Sequence, residues 1–320
     1  MKHLVAIALL AVSVLAPARA QDFPSRTVRI VVAFPAGGPT DFVARLLADR
    51  LKTSFGQSVV VENKPGANGT IGAEYVARGE ADGHLLFLTT VGAVAVTPHL
   101  AARLPYDPIK DFAPVTLATA SPNVLFVHPS VAAKTVQELI ALIRSHPNTY
   151  SYAQPSTGST PHLSGELFKL QFGLDLVMVP FNGAALVVNS TLAGHTPIAF
   201  TALPPAIANI KQGNLRALAV TAAKRVAVLP DVPTMAEAGV PDQEADTLNG
   251  VLVPAATPAA IIDRINRDII AVLSQPDVNE RLSTLGFDPA ATTPAEFGER
   301  IKSEIAKWGK VVRAAKIRIE

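Results

Sequence analysis

Short apolar segments alternate with amphipathic helical segments along most of the chain, and this alternation restricts the fold more than any other feature. Residues 28–33 are rich in β-branched side chains, as in a strand buried on both faces. The helical segment that follows places Val43, Leu47 and Leu51 on one side and Arg45 and Arg50 on the other. Strands that alternate with helices in this way predict an α/β fold with a largely parallel sheet.

The pattern occurs in two sets, which predicts two units. The first has strands at about 28–33, 58–62 and 84–90, and the second at about 123–128, 150–154, 176–179, 197–200 and 215–221. No glycine-serine linker separates the sets, so we expect two lobes joined by crossings near 115–123 and 240–250. The expected division is 21–118 plus 246–320 for lobe 1 and 119–245 for lobe 2. Helices are predicted to open near Thr135, Pro161, Ala184, Pro204, Thr257 and Thr293.

The first twenty residues have the pattern of a secretory signal peptide. Lys2 precedes an apolar stretch over 4–16, and residues 18–20 read Ala-Arg-Ala, which is typical of a cleavage site. A transmembrane anchor is the alternative, but the stretch is shorter than the roughly 20 residues that a span needs. We therefore predict cleavage after Ala20 and a soluble protein in the periplasm.

Composition excludes several classes of function. The chain has no cysteine, which rules out a lipid-modified N-terminal cysteine, thiolate metal sites and thiol catalysis. Without the signal, which carries Lys2 and Arg19, basic and acidic side chains are equal in number. This balance gives no basic surface of the kind that nucleic acid binding requires.

The loop after the first strand carries the strongest local sign of a binding site. It reads Phe-Pro-Ala-Gly-Gly-Pro-Thr over 34–40, and a helix is expected to begin at Asp41, with Thr40 or Asp41 as the N-cap. Gly37 and Gly38 allow backbone amides to approach a ligand, and a helix start presents unpaired N–H groups to an anion. The alternative is an ordinary turn between a strand and a helix.

A second loop of the same kind follows the strand at 150–154. It contains Ser156, Ser159 and Thr160, and Pro161 suits the first position of a helix capped by Thr160. If the lobes face each other, the two loops could meet across a cleft. A third glycine-containing segment, 66–72, lacks the spacing of a nucleotide fingerprint and is interpreted as a structural loop that starts a helix.

Catalytic and metal-binding patterns are weak. The chain has no GxSxG motif, and the proximity of Ser159 and His162 in sequence leaves a Ser–His hydrolase as a remote alternative. The histidines of the mature chain show neither HxxxH nor HExxH spacing. We expect no catalytic residue, no metal and no cofactor.

Several motifs together resemble the Bug-type receptors, the extracytoplasmic receptors of tripartite tricarboxylate transporters. They include the loop at 34–41, Val-Glu-Asn-Lys-Pro-Gly-Ala-Asn-Gly at 61–69, Leu-Pro-Tyr-Asp-Pro at 104–108 and Gly-Ser-Thr-Pro-His-Leu at 158–163. Further matches are Leu-Arg-Ala-Leu-Ala-Val-Thr at 215–221 and Leu-Pro-Asp-Val-Pro-Thr at 229–234. The motifs occur in order over essentially the whole mature chain.

The resemblance implies a two-lobed periplasmic binding protein (Venus flytrap, type II-like), each lobe a sheet flanked by helices, with a small carboxylate between the lobes. Carried over by position and joined to the loops above, it predicts these ligand-binding residues: Phe34, Gly37, Gly38, Thr40, Asp41, Thr90, Ser156, Ser159, Thr160, Asn182, Gly183 and Thr201. The implied partners are the permease subunits of a tripartite tricarboxylate transporter, or alternatively a membrane sensor kinase. A monomer is expected.

The sequence departs from the family pattern at positions that would face the ligand. Thr201-Ala202 stands where an Asp-Asn-type pair is frequent, and Asn182 replaces a frequent lysine. The loss of the acid disfavours an amino acid, and the loss of the cation disfavours citrate. We therefore expect a mono- or dicarboxylate with a neutral or aromatic body.

Overall fold

The computed structural model describes residues 23–101, 103–315 and 317. The predicted signal peptide and its cleavage site lie outside the described residues. The described residues form ten strands: β1 Val28–Val32, β2 Val59–Asn63, β3 Leu85–Thr90, β4 Phe112–Val127, β5 Ser151–Gln154, β6 Val177–Pro180, β7 Ile198–Ala202, β8 Arg216–Val220, β9 Asp246–Pro254 and β10 Asp288–Pro289.

Eleven α-helices and one short 3₁₀ turn connect these strands within the described part of the chain. The helices are α1 Pro39–Phe55, α2 Thr70–Ala77, α3 Val91–Ala95, α4 Thr97–Leu100, α5 Val136–Ser145, α6 Thr160–Phe172, α7 Ala184–Leu192, α8 Ile207–Lys211, α9 Ala259–Leu273, α10 Pro276–Thr284 and α11 Pro294–Ala315. The 3₁₀ turn is Ala67–Gly69, so the segment 66–72 does begin a helix, as predicted. None of the described helices is both long enough and apolar enough to cross a membrane.

The strands form one curled, mixed sheet with two halves. The order is β2-β1-β3-β9-β4-β7-β5-β6, and β8 and β10 also pair with β4. The pairs β1–β2, β1–β3, β5–β6 and β5–β7 are parallel, whereas every pairing of β4 and β9 is antiparallel. The sheet is therefore less parallel than the alternation predicted, because the two long strands at its centre run against their neighbours.

The strands β4 and β9 connect the two halves. Residues 112–122 of β4 pair with β9, and residues 123–127 of the same strand pair with β7 and β8. Prediction from sequence assigned a strand only to 123–128, because Pro114 and Pro122 interrupt the apolar pattern. The lobe boundaries themselves stay a prediction.

Both faces of each half are covered by apolar packing. In the first half, α1, α9 and α10 cover one face, and α3 and α11 cover the other. In the second half, α5 and α6 cover one face, and α7 covers the other. Burial on both faces explains why the strands read as continuous apolar runs in the sequence.

The predicted N-caps Thr135 and Thr293 are confirmed, and four predicted helix starts are wrong. The Oγ1 atoms of Thr135 and Thr293 accept hydrogen bonds from the backbone N–H groups of Glu138 and Glu296.

The other helix starts differ from prediction. Helix α1 begins at Pro39 after Gly38, and α6 begins at Thr160 after Ser159, because proline fits the first turn and shifts each start toward the N-terminus. Thr257 does not cap α9, since its hydroxyl donates to the carbonyl of Pro254. The helix expected near Pro204 begins only at Ile207.

Candidate functional site

A cavity of about 330 Å³ lies between the two halves of the molecule, at the carboxyl ends of β1, β3, β5 and β7. Its walls come from the loops that follow these strands and from the first turns of the helices α1, α6 and α7. Clefts at the carboxyl ends of strands are the usual place for ligands in open α/β sheets. The position of the cavity follows directly from the sheet topology.

The structure brings most of the predicted site residues together around this cavity. The lining includes Phe34, Gly38, Thr40, Thr90, Ser156, Ser159, Thr160, Asn182, Gly183 and Thr201. Prediction from sequence missed Pro35, Ala36, Pro39, Pro155, Pro161, Ala184, Ala185, Leu186, Ala202 and Thr247, which also line it. Most of these are neighbours of predicted residues. Thr247 gave no local signal, because it lies on β9 and reaches the cavity only through the sheet pairing.

The two remaining predicted residues, Gly37 and Asp41, support the first loop from behind. The Gly37 N–H donates to Asp41 Oδ2 at 2.9 Å, and Arg45 Nε donates to the same oxygen at 2.8 Å. Asn63 Nδ2 donates to Asp41 Oδ1 and to the carbonyl of Phe34. Burial alone would raise the pKa of Asp41, but these hydrogen bonds outweigh it and hold the pKa below its ordinary value. Asp41 is therefore ionised and stabilises the loop through these hydrogen bonds.

The cavity wall has no charged side chains among the described residues, but it includes the N-terminal turns of helices. No residue that lines it carries a charged side chain, within the described ranges 23–101, 103–315 and 317. The first backbone hydrogen bond of α1 is donated by the Phe42 N–H to the Gly38 carbonyl, and that of α6 by the Leu163 N–H to the Ser159 carbonyl. Thr40 and Thr160 precede these first donors, so their N–H groups have no acceptor within their helices. Such N–H groups and the helix dipole attract anions without a cationic side chain.

Thr160 belongs to a closed ring of three hydrogen bonds. Thr247 Oγ1 donates to Asn123 Oδ1 at 2.8 Å, so the 3.1 Å contact between the two threonine hydroxyls requires Thr160 to be the donor. Asn123 Nδ2 completes the ring by donating to Thr160 Oγ1 at 3.3 Å, and it also donates to the carbonyl of Ala245. The Thr160 hydroxyl proton is thus already used, and this residue can offer a ligand its backbone N–H only.

Thr40 has an equivalent arrangement in the first half. Its hydroxyl donates to Asn249 Oδ1 at 2.8 Å, and Asn249 Nδ2 donates to Thr119 Oγ1 at 3.1 Å. All three side chains are buried. As in the other half, the threonine in the first turn of a helix that lines the cavity is hydrogen-bonded to the central strands.

Other hydroxyls keep a proton for a ligand. Ser159 Oγ and Thr90 Oγ1 each accept a backbone N–H bond at a helix start, which leaves their own protons free to donate. Thr201 Oγ1 is fully buried at the cavity wall and has no hydrogen-bond partner among the described residues. A buried hydroxyl without a partner costs free energy, so a ligand acceptor at this point would be favoured.

The geometry does not form a Ser–His catalytic pair. The ring Nδ1 of His162 accepts the Gly158 N–H at 3.1 Å, whereas Ser159 Oγ contacts the backbone N–H of His162. Burial lowers the pKa of His162 to about 4, so the ring is neutral near pH 7. The described part of the chain also has no cluster of His, Cys, Asp and Glu suited to a metal ion.

A smaller cavity of about 250 Å³ adjoins the first and shares Phe34, Pro155 and Asn182 with it. The 66–69 turn forms its outer wall. Asn68 donates to Thr97 Oγ1 at 3.0 Å and lies against Gly158 of the other half. The turn therefore makes a structural contact between the halves, in addition to starting a helix as expected from sequence.

This fold, with two sheet halves around a cleft and two crossing strands, is that of a periplasmic binding protein. Structural comparison agrees: Rpa4515 of R. palustris, solved with adipate, superposes with a TM-score of 0.90, 37% identity and coverage of 93% of this chain and 99% of that one. MatC (Rpa3494) from Rhodopseudomonas palustris, solved with bound malate, gives a TM-score of 0.85, 33% identity and coverage of 91% and 100%.

Sequence comparison defines the family. The profile described as "Tripartite tricarboxylate transporter family receptor" matches residues 43–317. Protein BugT of Bordetella pertussis is 37% identical over 299 residues, which are 93% of this chain and 92% of BugT. The chain belongs to the tripartite tricarboxylate transporter receptor family, and the resemblance to Bug-type receptors is confirmed.

Proposed function

We propose that this protein is an extracytoplasmic receptor that captures a small carboxylate in the cleft and delivers it to the permease of a tripartite tricarboxylate transporter. Family membership and the adipate and malate in similar structures support the class of ligand. The signal pattern at 1–20 supports export and cleavage after Ala20. Delivery to a permease rests on family membership.

The main support for the proposal is that the N-terminal turns of two helices line one cavity whose wall has no charged side chain among the described residues. The helices α1 and α6 approach from opposite halves, and the N–H groups of Thr40 and Thr160 lack acceptors in their helices. Hydrogen bonds to an ionised acceptor are stronger than neutral ones, and exclusion of water on closure strengthens them further. A carboxylate fits this arrangement better than an amine or a neutral sugar.

The part of the cavity wall that comes from β7 and α7 indicates the body of the ligand. It includes Thr201, Ala202 and Leu186. Among the described residues, neither an acid that could pair with a ligand ammonium nor a base that could pair with a third carboxylate lines this wall. We propose a mono- or dicarboxylate with an apolar or aromatic body, whose far end accepts at most neutral hydrogen bonds.

Binding requires no chemical step. The carboxylate first meets the loop of one half, and closure adds the donors of the other half. The closed form becomes populated because the ligand makes more contacts in it than in the open form.

A thermal-shift screen of refolded, ligand-stripped protein (21–320) tests the proposal. Linear and aromatic mono- and dicarboxylates are each compared with the corresponding amide. We expect a rise in Tm with a few related carboxylates and none with their amides, because only binding to the folded state shifts Tm. Stabilisation by amines, sugars or metal ions, with no response to any carboxylate, would refute it.

A further inference from the structure

Another cavity, of about 430 Å³, lies on the other face of the strands β4 and β9, and we call it the rear cavity. Thr247 lines the ligand cavity, whereas its neighbour Asp246 lines the rear cavity, because successive side chains of a strand point to opposite faces. The register pairs Asp246 with Pro122, which also lines the rear cavity. The two strands therefore separate this cavity from the ligand cavity.

Both halves of the molecule contribute to the rear cavity. The loop 222–228, which follows β8, lines it from the second half, and Ser283, Gly286, Phe287 and Asp288 line it from the first half. The loop contributes mainly alanine and valine side chains. A small molecule with a short hydrocarbon body would therefore find apolar groups to contact there.

Asp246 is a polar group of this wall that lacks a partner. Its Oδ1 is inaccessible and has no hydrogen-bond partner among the described residues. Burial raises the pKa of Asp246 to about 6, and the carboxyl is ionised above that pH. A buried carboxylate without a partner destabilises the folded state, and an ion that binds beside it is one physical reason for such a group.

The basic side chains of α11 near Asp246 are engaged with other acceptors. Arg300 Nε donates to Glu304 Oε1 at 2.9 Å, and Lys307 Nζ donates to the carbonyl of Glu244 at 2.7 Å. Both cations lower the pKa of Asp246 from a distance, but neither offsets the effect of burial. The carboxylate thus keeps an unmet demand for a positive charge.

The other charged side chains of the rear cavity do not meet this demand. Arg225 Nε pairs with Glu237 at 2.8 Å, so the charge of this guanidinium is balanced outside the cavity wall. Lys224 and Asp288 are both exposed and carry opposite charges. With these charges balanced, the ionised Asp246 leaves the described part of the wall with one net negative charge.

We propose that the rear cavity binds a small primary ammonium ion, with the ammonium at Asp246 and a short hydrocarbon body against the loop 222–228. A primary ammonium has three N–H donors, and its hydrogen bonds to a carboxylate are strengthened by charge. A metal ion would need several oxygen ligands, and the described residues form no cluster suited to one. The site goes beyond the proposed function and does not rest on it, because Asp246 faces away from the ligand cavity.

A thermal-shift measurement with butylammonium chloride tests the site. Butan-1-ol, which has the same hydrocarbon body without the charge, is the matched compound, and potassium chloride controls for ionic strength. At about pH 8 we expect butylammonium to raise the Tm of the protein (21–320) by a few degrees and butan-1-ol to give no rise. At about pH 5 most of the rise should be lost, because Asp246 is then largely protonated.

Two variants locate the response. Asp246→Asn keeps the shape of the side chain without its charge and should abolish the rise that butylammonium causes. Glu244→Gln is the matched control, since it removes an exposed acid two residues away that does not line the rear cavity, and it should keep the rise.

Three results would overturn the proposal: no rise in the unmodified protein at about pH 8, an equal rise with butan-1-ol, or an equal rise in Asp246→Asn. The thermal shift that carboxylates cause should be the same in Asp246→Asn as in the unmodified protein. A failure of the carboxylate screen and a failure of the ammonium site are therefore distinguishable.

Discussion

At the scale of single residues, the cleft is built from neutral groups whose protons are directed by their neighbours. The Thr160 hydroxyl donates its proton to Thr247, whereas the Thr201 hydroxyl has no partner in the described part of the chain, although both residues line the cavity. Sequence alone gives no indication of this difference, because it depends on the pairing of β9 with β4. Whether a threonine hydroxyl can donate a hydrogen bond to a ligand therefore depends on the partners that the fold places beside it.

Asp246 is the residue whose titration should affect stability most visibly. It lies at the start of β9, and its Oδ1 is inaccessible and has no partner among the described residues. Burial raises the pKa of Asp246 to about 6, against an ordinary value of 3.8, despite the opposing effect of Arg300 and Lys307. A raised acid pKa means that the folded state holds the proton more tightly, so stability falls as pH rises from about 4 to about 6.

We therefore expect Asp246→Asn to be more stable than the unmodified protein at pH 7, by about 1–3 kcal/mol. The gain should disappear below about pH 4, where the Asp246 carboxyl is protonated in both the folded and the unfolded protein. Denaturant unfolding at several pH values measures this. Asp288→Asn serves as control and should show no gain, because Asp288 is exposed although it lines the same surface cavity as Asp246. An equal gain at pH 7 and pH 4 would contradict the interpretation.

At the scale of elements, helix starts define both the fold and the site. The alternation of apolar strands and helices predicts the α/β class, and the two loops after β1 and β5 were recognised because glycine and proline precede a helix. The exact first residue was predicted wrongly for α1 and α6, since several neighbouring residues could cap each helix. The long strand β4 was only partly predicted, because Pro114 and Pro122 interrupt its apolar pattern.

Ser159→Ala tests two roles of Ser159, as the N-cap of α6 and as a donor to the ligand. Loss of the N-cap should lower the free energy of unfolding by about 1 kcal/mol. Thr135→Ala removes a cap of the same kind from α5, away from the cavity, and should cost a similar amount. Only Ser159→Ala should also weaken binding of a carboxylate found in the screen, as measured by calorimetry. Equal binding by both variants would exclude a ligand contact at Ser159.

At the scale of the whole molecule, the described structure has its two halves in close contact. A Cβ atom on Gly158 of the second half would lie 2.8 Å from Leu100 and 3.0 Å from Asn68, both in the first half. This closeness agrees with a closed arrangement around the cavity. It could not be predicted from sequence, because Gly158 reads there only as a turn residue.

Gly158→Ala should therefore hinder closure. The added methyl group would press the halves apart, so we expect a carboxylate from the screen to bind at least several-fold more weakly. Gly173→Ala is the control: its φ of +59° also lies in the left-handed region, but a Cβ there meets no atom within 4 Å. Both variants carry a backbone cost of about 1–2 kcal/mol, and only Gly158→Ala should lose affinity. Equal affinity loss in both would show that backbone strain, and not closure, is responsible.

The most direct test of the whole account is a crystal structure of the mature protein with the carboxylate that gives the largest thermal shift. We expect the carboxylate in the cavity between the halves, with its oxygens accepting the N–H groups of Thr40 and Thr160 and no lysine or arginine beside it. A carboxylate paired with a charged side chain, or bound outside this cavity, would contradict the account.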